Sequence, residues 1–592
     1  MNRVDRPADF ESAEARRRAD KIWRRTLEGI AVALADPSQT IPSRLEEWAD
    51  RYGERPALVG RARRLSFRAL SQTANRVSRW ALSRGVRKGE VVALMTNSGP
   101  DYAALWLGLT RVGAVAALIP PDLRGKPLAH AIRAASGKVL IASQDYAPFI
   151  AALEPGPELT RVDESALQQE LLGVDGAPLS ASERRDPHLR DPALLVFTSG
   201  TTGLPKAAHV GHARIARWSY WFSGLAEMGP RDRLYNCLPM HHSVGGVAAL
   251  LAPLVNGGST YLAERFSARN FWQEVARAEC TIVQYIGELC RYLVAQPPSA
   301  FDRAHRVRLA VGNGLSAEVW RPFLERFAVP RVLEFYASTE GNVSLANLEG
   351  RVGAIGRAAR MPGSGAPFVL VAFDAEAELP WRDETGFCRR CERGEVGEAL
   401  GRIAPDSVAE VDGYTDKSAS ELKILRDVFV KGDAFWRSGD LMREDEDGFF
   451  TFVDRIGETF RWKGENVSVQ QVEATLRACP GVADAVVYGV SVPGAEGKAG
   501  MAALSFDDSD GFNQVEGAVS LLPPHARPLV IRLSERIQTT GTFKPRRAAL
   551  AEEGMDPDRI ADRLFLYDRP TGKYLPLTRE VYSSVVSGAR RL

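Results

Sequence analysis

A short segment rich in hydroxyl side chains and glycine carries the clearest chemistry in this sequence. It reads VFTSGTTGLPKAAHV and runs from Val196 to Val210. Backbone N–H groups and hydroxyls gathered in a tight loop bind anions, and a nearby lysine adds a positive charge. The segment therefore predicts a polyphosphate site, although it is not a Walker loop, because the chain lacks that spacing of Gly and Lys. The residues concerned are Thr198, Ser199, Gly200, Thr201, Thr202, Gly203 and Lys206.

A second pattern, RLAVGNGLSAEVW, places Gly312 and Gly314 between a predicted strand and a predicted helix. Glu334 follows Gly314 by 20 residues, at the end of another predicted strand. This spacing matches the dinucleotide-binding fingerprint with its ribose-binding acid. Pro322 inside the predicted helix argues against that interpretation. From these residues alone, an oxidoreductase with a Rossmann fold stays open.

A third segment, EFYASTEGN, delivers Tyr336, Thr339 and Glu340 into one turn after a predicted strand. An aromatic face suits a nucleobase, a hydroxyl suits a phosphate, and a carboxylate suits Mg²⁺ that bridges phosphates. Further along, Asp440 in RSGDLM is suited to accept hydrogen bonds from ribose hydroxyls. Taken alone, the mixed charges of DRIGETFRWKGENV and the basic loop GTFKPRR, with Lys544, are typical of solvated surfaces.

Several other chemistries are disfavoured. His241 and His242 have no ligand at metal spacing, and the single Cys388-x-x-Cys391 pair lacks a second pair for zinc, so we expect a surface turn there. The other four cysteines are expected in the core, and six cysteines in so long a chain indicate a reducing compartment. The chain has no G-x-S-x-G string, which argues against an ordinary α/β-hydrolase.

Composition sets the class of the protein. The 592 residues are 45% hydrophobic and 25% charged, which excludes disorder as the main state, and a net charge of +2 disfavours nucleic-acid binding by bulk charge. The N-terminus has no signal-peptide core, and the apolar stretch 102–119 contains Arg111, so a buried helix is favoured over a membrane span. We expect a cytoplasmic protein and leave open peripheral contact with the inner face of a membrane.

The elements that must position these residues follow a regular order. From Ile41 onward, helical patterns alternate with strand-like runs, which predicts parallel α/β layers. Near residue 380 the pattern changes to short strands, which indicates a β-rich subdomain. The predicted domains are a helical arm over 1–40 with Trp23, Leu27 and Ile30 on one face, a large domain over 41–453, and a small mobile α+β domain over 454–592 with a hinge near 454–457.

In this order, TSGTTGLPK, Tyr-x-x-Thr-Glu, SGD and a late lysine resemble the adenylate-forming (AMP-binding) superfamily. The strings VQYIGELCRYL, DRIGETFRWKGENVS and TGTFK resemble its fatty acid transport protein / very-long-chain acyl-CoA synthetase branch, and the resemblance covers about Ile41 to Val586. It implies a fatty acid ligase that uses ATP, Mg²⁺ and coenzyme A, forming acyl-AMP and pyrophosphate and then acyl-CoA and AMP. It also replaces the Rossmann interpretation, because Gly312–Gly314 would then lie beside the adenine.

The resemblance also implies a role for each candidate residue. The ATP site would comprise Thr198, Ser199, Gly200, Thr201, Thr202, Gly203, Lys206, Gly312, Asn313, Gly314, Tyr336, Asp440 and Arg455. The residues nearest the chemistry would be Lys544, Thr339, Glu340 (also the Mg²⁺ ligand) and His242. Arg461, Lys463 and Gly464 would serve the thioester step, and Gly245, Gly246, Gln284 and Tyr285 would line the acyl pocket.

The sequence departs from the branch at Ala337, where glycine is expected, and at His241, where an aromatic residue is usual. One alternative is a fatty acid uptake or binding protein with weak ligase activity. Another is an adenylate-forming enzyme for a different carboxylic acid, such as a bile acid or an aromatic acid. Transfer to a carrier protein instead of coenzyme A is disfavoured by the segment Arg461–Gly464. Chain length of the acid and oligomeric state are not fixed by the sequence.

Overall fold

The computed structural model describes residues 13–153, 159–199, 204–358, 368–374, 377–403, 413–456, 460–462, 465–493, 497–507, 512–540 and 544–590. The chain divides into two compact units. The first comprises Met1–Val369, Leu400–Ser438 and Asp447–Thr451, and the second comprises Leu370–Ala399, Gly439–Glu446 and Phe452–Leu592. The last of these divisions lies close to the predicted hinge, which stays a prediction, as do the predicted domain boundaries.

Two largely parallel sheets form the framework of the first unit, with strands numbered in chain order. The eight-stranded sheet contains β1 (Pro56–Gly60), β2 (Arg64–Ser66), β9 (Arg233–Asn236), β10 (Ser259–Leu262), β11 (Ile282–Ile286), β12 (Leu309–Asn313), β13 (Val332–Ala337) and β14 (Ser344–Asn347). Its order is β14-β13-β12-β11-β9-β10-β1-β2, with antiparallel strands only at the two edges.

The six-stranded sheet contains β3 (Val91–Met95), β4 (Val115–Leu118), β5 (Val139–Ala142), β6 (Thr160–Asp163), β7 (Pro192–Ser199) and β8 (Pro205–Gly211). Its order is β6-β5-β3-β4-β7-β8, and only β8 runs antiparallel to its neighbour. Strands β3, β4 and β5 are short and apolar, as expected for a sheet buried on both faces. The predicted parallel α/β layers are therefore confirmed.

The helices of the first unit are α1 (Ala13–Leu34), α2 (Leu45–Tyr52), α3 (Phe67–Ser83), α4 (Pro100–Arg111), α5 (Gly125–Ala135), α6 (Ala147–Ala151), α7 (Glu164–Leu172), α8 (His212–Leu225), α9 (Ala249–Leu251), α10 (Phe271–Arg277), α11 (Gly287–Ala295), α12 (Ala317–Phe327) and α13 (Lys417–Glu421). A π-helical turn spans Val244–Ala248. Side-chain caps begin several helices; the Ser66 hydroxyl, for example, accepts a hydrogen bond from the Ala69 N–H at the start of α3.

Helix α1 lies within the predicted helical arm, and its apolar face includes the buried Trp23 and Ile30. This face packs in one cluster with Phe222 and Leu225 of α8, and the Trp23 and Trp221 ring centroids are 6.4 Å apart. Trp23 is 8% exposed. The arm is therefore part of the core around α8.

The apolar stretch 102–119 is a buried helix followed by a strand, α4 and β4, as predicted. Arg111 at the end of α4 is 7% exposed and donates to the Pro42 carbonyl at 2.7 Å and to the Glu46 carboxylate. Among the described residues, no helix has the length and apolar character needed to cross a membrane.

Pro322 lies inside α12 and does not end that helix. Both Pro322 and Glu318, whose carbonyl loses its helical partner, are exposed. Water can therefore replace the missing backbone hydrogen bond. The strand–helix–strand unit β12-α12-β13 is real, with its two strands paired in parallel.

The predicted β-rich segment is confirmed as β15 (Phe368–Asp374), β16 (Leu379–Pro380), β17 (Val396–Arg402), β18 (Ile424–Arg426), β19 (Ala434–Glu444) and β20 (Phe450–Arg455). The expected surface turn at the cysteine pair is wrong for Cys388, which is buried in extended backbone, and the Cys391 N–H donates to the Leu370 carbonyl at 3.0 Å. A thiol packs as a small apolar group. The other four cysteines are buried, as predicted.

The second unit also contains a group of strands and helices with an α+β arrangement. Its strands are β21 (Phe460–Trp462), β22 (Glu465–Val467), β23 (Val482–Ser491), β24 (Lys498–Phe506), β25 (Val530–Leu533), β26 (Arg563–Asp568) and β27 (Lys573–Pro576). Its helices are α14 (Val469–Arg477), α15 (Phe512–Ser520), α16 (Arg547–Glu553) and α17 (Arg579–Val586). Strands β23 to β27 form one sheet in sequence order and share a hydrophobic core with α14.

Candidate active site

The predicted phosphate loop connects the antiparallel hairpin β7-β8. Thr198 pairs with Lys206 and Ser199 pairs with Pro205, so the strand ends where the sequence predicted. The Thr198 hydroxyl is 3.5 Å from the Lys206 carbonyl oxygen. Gly200, Thr201, Thr202 and Gly203, together with the Ser199 side chain, lie outside the described part of the chain. The hairpin therefore places Thr198 and Lys206 at opposite sides of this loop.

Tyr414 joins two of the predicted residues that lie far apart in sequence. Its hydroxyl donates to the Glu340 carboxylate at 2.8 Å, and the Lys206 Nζ lies 5.8 Å from its ring centroid. Backbone bonds hold Tyr414 beside β8, because the Thr415 N–H donates to the Ala207 carbonyl at 2.9 Å. A cation, an aromatic hydroxyl and a carboxylate thus meet within the first unit.

A buried arginine stabilises the turn that carries Glu340 through hydrogen bonds to its backbone. The Nη1 atom of Arg214, in α8, donates to the Thr339 and Gly341 carbonyls, both at 2.9 Å. These two carbonyls flank Glu340. Arg214 is 3% exposed. The Ser243 and Thr339 hydroxyls are 2.8 Å apart. The positions of Thr339 and Glu340 are therefore set by Arg214 in α8 and by Ser243, which precedes the π-helical turn Val244–Ala248.

The Gly312–Gly314 segment lies at the carboxyl ends of β11, β12 and β13. Gly312 pairs with Tyr285 on one side and with Glu334 on the other. A Cβ on Gly312 would lie 2.2 Å from the Tyr285 carbonyl oxygen, so only glycine fits there. Gly314 has φ +81°, a conformation that favours glycine. Close packing at Gly312 and the backbone conformation at Gly314 therefore favour glycine at both positions, whichever ligand the segment contacts.

Glu334 is a buried structural carboxyl, so its interpretation as a ribose-binding acid is wrong. It is 1% exposed and accepts hydrogen bonds from the Tyr285 hydroxyl and from the Gly314 and Leu315 N–H groups, the last at 3.2 Å. Burial raises the pKa of Glu334 to about 8. Because these bonds occupy the carboxyl, its role is to fix the end of β12 against β11.

Tyr336 lies on the opposite face of β13 from Phe335, because side chains alternate along a strand. Phe335 packs edge-on against Trp221 and Phe222 of α8, with centroids 5.7 and 5.4 Å apart. Tyr336 is half-buried, next to the Thr339–Glu340 turn. This arrangement leaves the predicted adenine-stacking role of Tyr336 sterically reasonable, and that role stays a prediction.

The π-helical turn Val244–Ala248 follows His242 and contains both predicted acyl-pocket glycines. A Cβ on Gly246 would lie 1.7 Å from the Met240 carbonyl oxygen, and one on Gly245 would lie 2.5 Å from the Pro239 carbonyl oxygen. The Asn236 side chain donates to the Gly245 carbonyl at 2.7 Å. These glycines allow the turn to approach the preceding loop closely, and π-turns are frequent at functional sites.

The two remaining residues of the predicted acyl site are both buried. Gln284 is fully buried and Tyr285 is 1% exposed, and the Tyr285 hydroxyl is bonded to Glu334. The rings of His241 and His242 are 4.4 Å apart, and burial lowers the pKa of His241 to about 4, so it is neutral near pH 7. The assignments of Gln284 and Tyr285 to the acyl pocket, and of His242 to the residues nearest the chemistry, stay predictions.

Within the second unit, the two predicted ribose-binding residues lie together. The Arg455 Nε is 3.4 Å from the Asp440 carboxylate, and the Asp440 side chain is 8% exposed. The neighbouring Asp454 accepts the Arg455 N–H at 2.8 Å and the Val469 N–H at 3.0 Å, which ties the end of β20 to the start of α14. The predicted hinge thus begins at a carboxylate with two backbone bonds.

Lys544 is exposed in a loop of the second unit between β25 and α16. The loop is closed by two bonds: the Thr540 N–H donates to the Lys544 carbonyl at 2.8 Å, and the Lys544 N–H donates to the Thr540 hydroxyl at 3.2 Å. Lys463, Gly464 and the Arg461 side chain lie outside the described residues, although the Arg461 backbone belongs to β21.

The residues of the first unit fit a magnesium–nucleotide complex. Within the described ranges, no three His, Cys, Asp or Glu side chains gather as a metal site built from protein ligands alone. Mg²⁺ in nucleotide sites is held by one or two carboxylates together with the phosphates. A single carboxylate, Glu340, beside the Lys206 cation and the Thr339 hydroxyl, is a donor set of that kind.

Sequence reasoning missed Tyr414, Arg214 and Ser243. Tyr414 stands in an ordinary charged stretch, VDGYTDKS, and Arg214 stands in an apolar helix. Neither position has a spacing that marks it, because the partners of both come from distant segments. The one available signal was Arg214 itself, which stands among apolar residues of α8, because a buried guanidinium requires hydrogen-bond acceptors.

Comparison with known proteins gives one consistent result. Residues 45–398 match the AMP-binding enzyme family. Long-chain fatty acid transport protein 1 of Mus musculus is 38% identical over 596 residues, which covers 96% of this chain and 92% of the relative. ATP-bound MatB from Rhodopseudomonas palustris has a TM-score of 0.71 at 22% identity, covering 86% of this chain and 98% of that chain. Mycobacterium tuberculosis fatty acyl CoA synthetase has a TM-score of 0.63 at 21% identity, covering 88% and 99%. At these identities the two structures show a shared fold.

Proposed function

Because the chain belongs to the AMP-binding enzyme family, in the branch of the long-chain fatty acid transport proteins, we propose that it is an ATP-dependent fatty acyl-CoA synthetase. The proposed reaction has two steps. A fatty acid carboxylate oxygen attacks the α-phosphorus of ATP, which forms acyl-AMP and releases pyrophosphate. The coenzyme A thiol then attacks the acyl carbon, which forms the thioester, releases AMP and frees the thiol proton.

The observation that supports this proposal most is the meeting of Lys206, Tyr414 and Glu340. The first step brings two anions together, so it needs positive charge and hydrogen-bond donors at the developing negative charge. Lys206 supplies a cation, and the Tyr414 hydroxyl, 2.8 Å from Glu340, orients the carboxylate. Mg²⁺, when bound, would neutralise phosphate charge and strengthen pyrophosphate as a leaving group. Glu340 would hold that ion.

The first unit would hold the nucleotide through several elements. The β7-β8 hairpin would present Thr198 and Lys206 to the β- and γ-phosphates, and Thr339 would contact the α-phosphate. Tyr336 would stack on the adenine beside Gly312–Gly314. The Arg214 bonds to the carbonyls flanking Glu340 support this arrangement, because they fix the turn before any ligand binds.

The second unit would contribute Asp440 and Arg455 to the ribose hydroxyls and Lys544 to the first step. Lys544 would bridge the α-phosphate and the substrate carboxylate. The thioester step would instead use the segment Arg461–Gly464, after a rotation near residues 454–457. The pairing of Asp440 with Arg455 at 3.4 Å supports a shared role for these two residues.

A fatty acid is the proposed acid because the curated relatives carry that substrate in their names. The same names favour a second candidate, in which the protein binds or takes up fatty acids and ligates them weakly. A third candidate is an adenylate-forming enzyme for a bile acid or an aromatic acid. The presence of Lys206, Glu340, Asp440 and Lys544 together argues against the second candidate, because a protein that only binds fatty acids would not need these residues.

A pyrophosphate-release assay separates these candidates. Purified protein would be given ATP, Mg²⁺ and fatty acids of graded chain length, with a bile acid and an aromatic acid in the same panel, each with and without coenzyme A. We expect release that depends on a long-chain fatty acid and turns over repeatedly only with coenzyme A. A preference for the bile or aromatic acid would favour the third candidate. Fatty acid binding without release would favour the second.

A further inference from the structure

The eight-stranded sheet has a second polar site at the edge opposite the candidate active site. A cavity of about 220 Å³ lies at the amino ends of β1, β9, β10 and β11, which run parallel. Gly312–Gly314 and Tyr336 lie at the carboxyl ends of strands in the same sheet. Because parallel strands share one direction, their amino and carboxyl ends lie at opposite edges. We name this site the amino-edge cavity.

Four arginines line the amino-edge cavity: Arg55, Arg231, Arg233 and Arg306. The Arg231 side chain is exposed and has no hydrogen-bond or ion-pair partner within the described ranges. The Arg233 guanidinium is fixed in the wall, because its Nε donates to the Ser259 hydroxyl at 3.1 Å and its Nη1 donates to the Ala278 carbonyl at 2.6 Å. The cavity thus combines one guanidinium held in place with another whose donors are available.

Among the described residues, two acidic side chains line the cavity, and they cancel only part of its positive charge. Asp232 is already occupied by Arg308, whose Nε and Nη2 each donate to it at 2.9 Å, and by the Thr281 hydroxyl at 2.7 Å. Glu279 forms a 3.5 Å contact with Arg306, but the two side chains are 63% and 78% exposed. An ion pair that exposed is weak. Four arginines against two carboxylates leave a formal charge of +2 on the lining.

We propose that the amino-edge cavity binds the phosphomonoester group of an anionic ligand. A phosphomonoester carries a charge of roughly −1.5 to −2 at pH 7, which matches the lining, whereas a carboxylate would leave it positive. Guanidinium groups donate two parallel hydrogen bonds to phosphate oxygens. The ligand source is either a soluble phosphate compound or a lipid whose headgroup is itself a phosphomonoester, such as phosphatidic acid. This inference does not depend on the proposed ligase activity, because the cavity shares no residue with the candidate active site.

The double variant Arg231→Gln, Arg306→Gln removes two exposed charges from the cavity. Its fold is expected to persist, because Arg231 has no partner among the described residues and the Arg306 pair is exposed. The control is Arg190→Gln, which removes one charge from an exposed arginine that does not line the cavity and has no bonded partner in the described ranges. Neither variant alters a residue assigned to the active site, and the thermal midpoint of each variant serves as a measure of intact folding that does not depend on the ligase activity.

Binding is measured with two probes. The first is inorganic phosphate, observed by the ³¹P transverse relaxation rate as protein is added. The second is co-sedimentation with vesicles of phosphatidylcholine and phosphatidic acid in a four-to-one ratio, compared with phosphatidylcholine alone. We expect at least one probe to bind the native protein and the control equally. The same probe should bind the double variant at least about tenfold more weakly, since each charge-assisted bond that is lost is worth about one such factor.

The two probes identify the ligand source. Phosphate binding without vesicle binding assigns the cavity to a soluble compound, and vesicle binding that the double variant loses assigns it to a lipid headgroup. Equal binding by all three proteins would overturn the proposal, because the anion would then bind elsewhere. Absence of binding to both probes would also overturn it.

Discussion

At the scale of single residues, the candidate site depends on a few contacts between distant positions. Glu340 is oriented by one hydroxyl, from Tyr414, and its turn is held by one guanidinium, from Arg214. Both supporting residues are buried. Tyr414 and Arg214 should therefore affect activity through the position of Glu340. Substitutions of Tyr414 and of Lys544 test the roles that single side chains have in the proposed reaction.

Replacing Tyr414 by Phe removes the hydroxyl that bonds Glu340 and leaves the ring beside Lys206. A hydrogen bond to a charged group is worth about 1.5–3 kcal/mol, so kcat/KM for ATP should fall about tenfold or more, with the protein still folded. Steady-state pyrophosphate release measures this value. The control is Tyr102→Phe, because the Tyr102 hydroxyl is buried with no hydrogen-bond partner among the described residues. Equal kcat/KM values for Tyr414→Phe and the native protein would contradict the role given to Tyr414.

Replacing Lys544 by Ala should separate the two proposed half-reactions. The loop position and the resemblance assign Lys544 to the first step alone, so acyl-AMP formation from ATP should be abolished. Thioester formation from supplied acyl-AMP and coenzyme A should persist at close to the native rate. Single-turnover measurements of each half-reaction check this expectation, and an equal loss in both would show that Lys544 does not act in the first step alone.

At the scale of elements, the carboxyl edge of the eight-stranded sheet is pinned by close backbone packing. The π-helical turn approaches the Met240 loop through Gly246, and Glu334 joins β11, β12 and β13. Both features sit directly beside predicted site residues. Each gives a prediction about stability that does not depend on the identity of the substrate.

The substitution Gly246→Ala should strongly destabilise the first unit. The added Cβ would lie 1.7 Å from the Met240 carbonyl oxygen, which is backbone and cannot rotate away. We expect a loss of roughly 3 kcal/mol or more, seen as a lower thermal midpoint. In Gly29→Ala, the control within α1, the new Cβ meets no atom within 4 Å, and a helical alanine should stabilise by about 0.5–1 kcal/mol. A native midpoint for Gly246→Ala would contradict the close packing.

Glu334 should make stability depend on pH. Its folded pKa of about 8 lies above its ordinary value of 4.5, so between these values the folded protein keeps a proton that the unfolded chain releases. The contribution of Glu334 to stability is therefore complete below pH 4.5 and declines as pH rises towards 8, by up to about 1.4 kcal/mol per pH unit.

The variant Glu334→Gln isolates this effect, because an amide can accept from the Gly314 N–H and donate to the Tyr285 hydroxyl without titrating. The difference in thermal midpoint, native protein minus variant, should decrease as the pH is raised from 5.5 to 8. All other groups titrate equally in the two proteins. A difference that stays constant over this range would show that Glu334 is ionised in the folded state.

At the scale of the whole molecule, local sequence patterns predicted most of the framework. The strand-like runs 91–96 and 331–336 became β3 and β13, because a strand needs only a few residues of the right type. The loop after β7 was visible because its chemistry lies in consecutive residues. The near-neutral total charge of +2, by contrast, concealed both the cations of the candidate site and the four arginines of the amino-edge cavity.

The features that sequence did not predict depend on contacts between distant segments. Tyr414 reaches Glu340 only because its segment pairs beside β8. Glu334 fits a ribose-binding pattern in sequence, yet folding buries it under Tyr285. The π-helical turn has no distinctive sequence period, and its glycines are explained only by the carbonyls that they approach. Long-range pairing decided these roles, and a single sequence does not contain that information.

The most direct test of the proposed ligase is isotope exchange between labelled pyrophosphate and ATP in the absence of coenzyme A. Exchange requires that acyl-AMP forms reversibly, so it reports the first step without the second. We predict exchange that depends on added long-chain fatty acid and is abolished in Glu340→Gln. No exchange with any acid of the panel, from protein that is folded and binds ATP, would contradict the proposal that this chain forms acyl-adenylates.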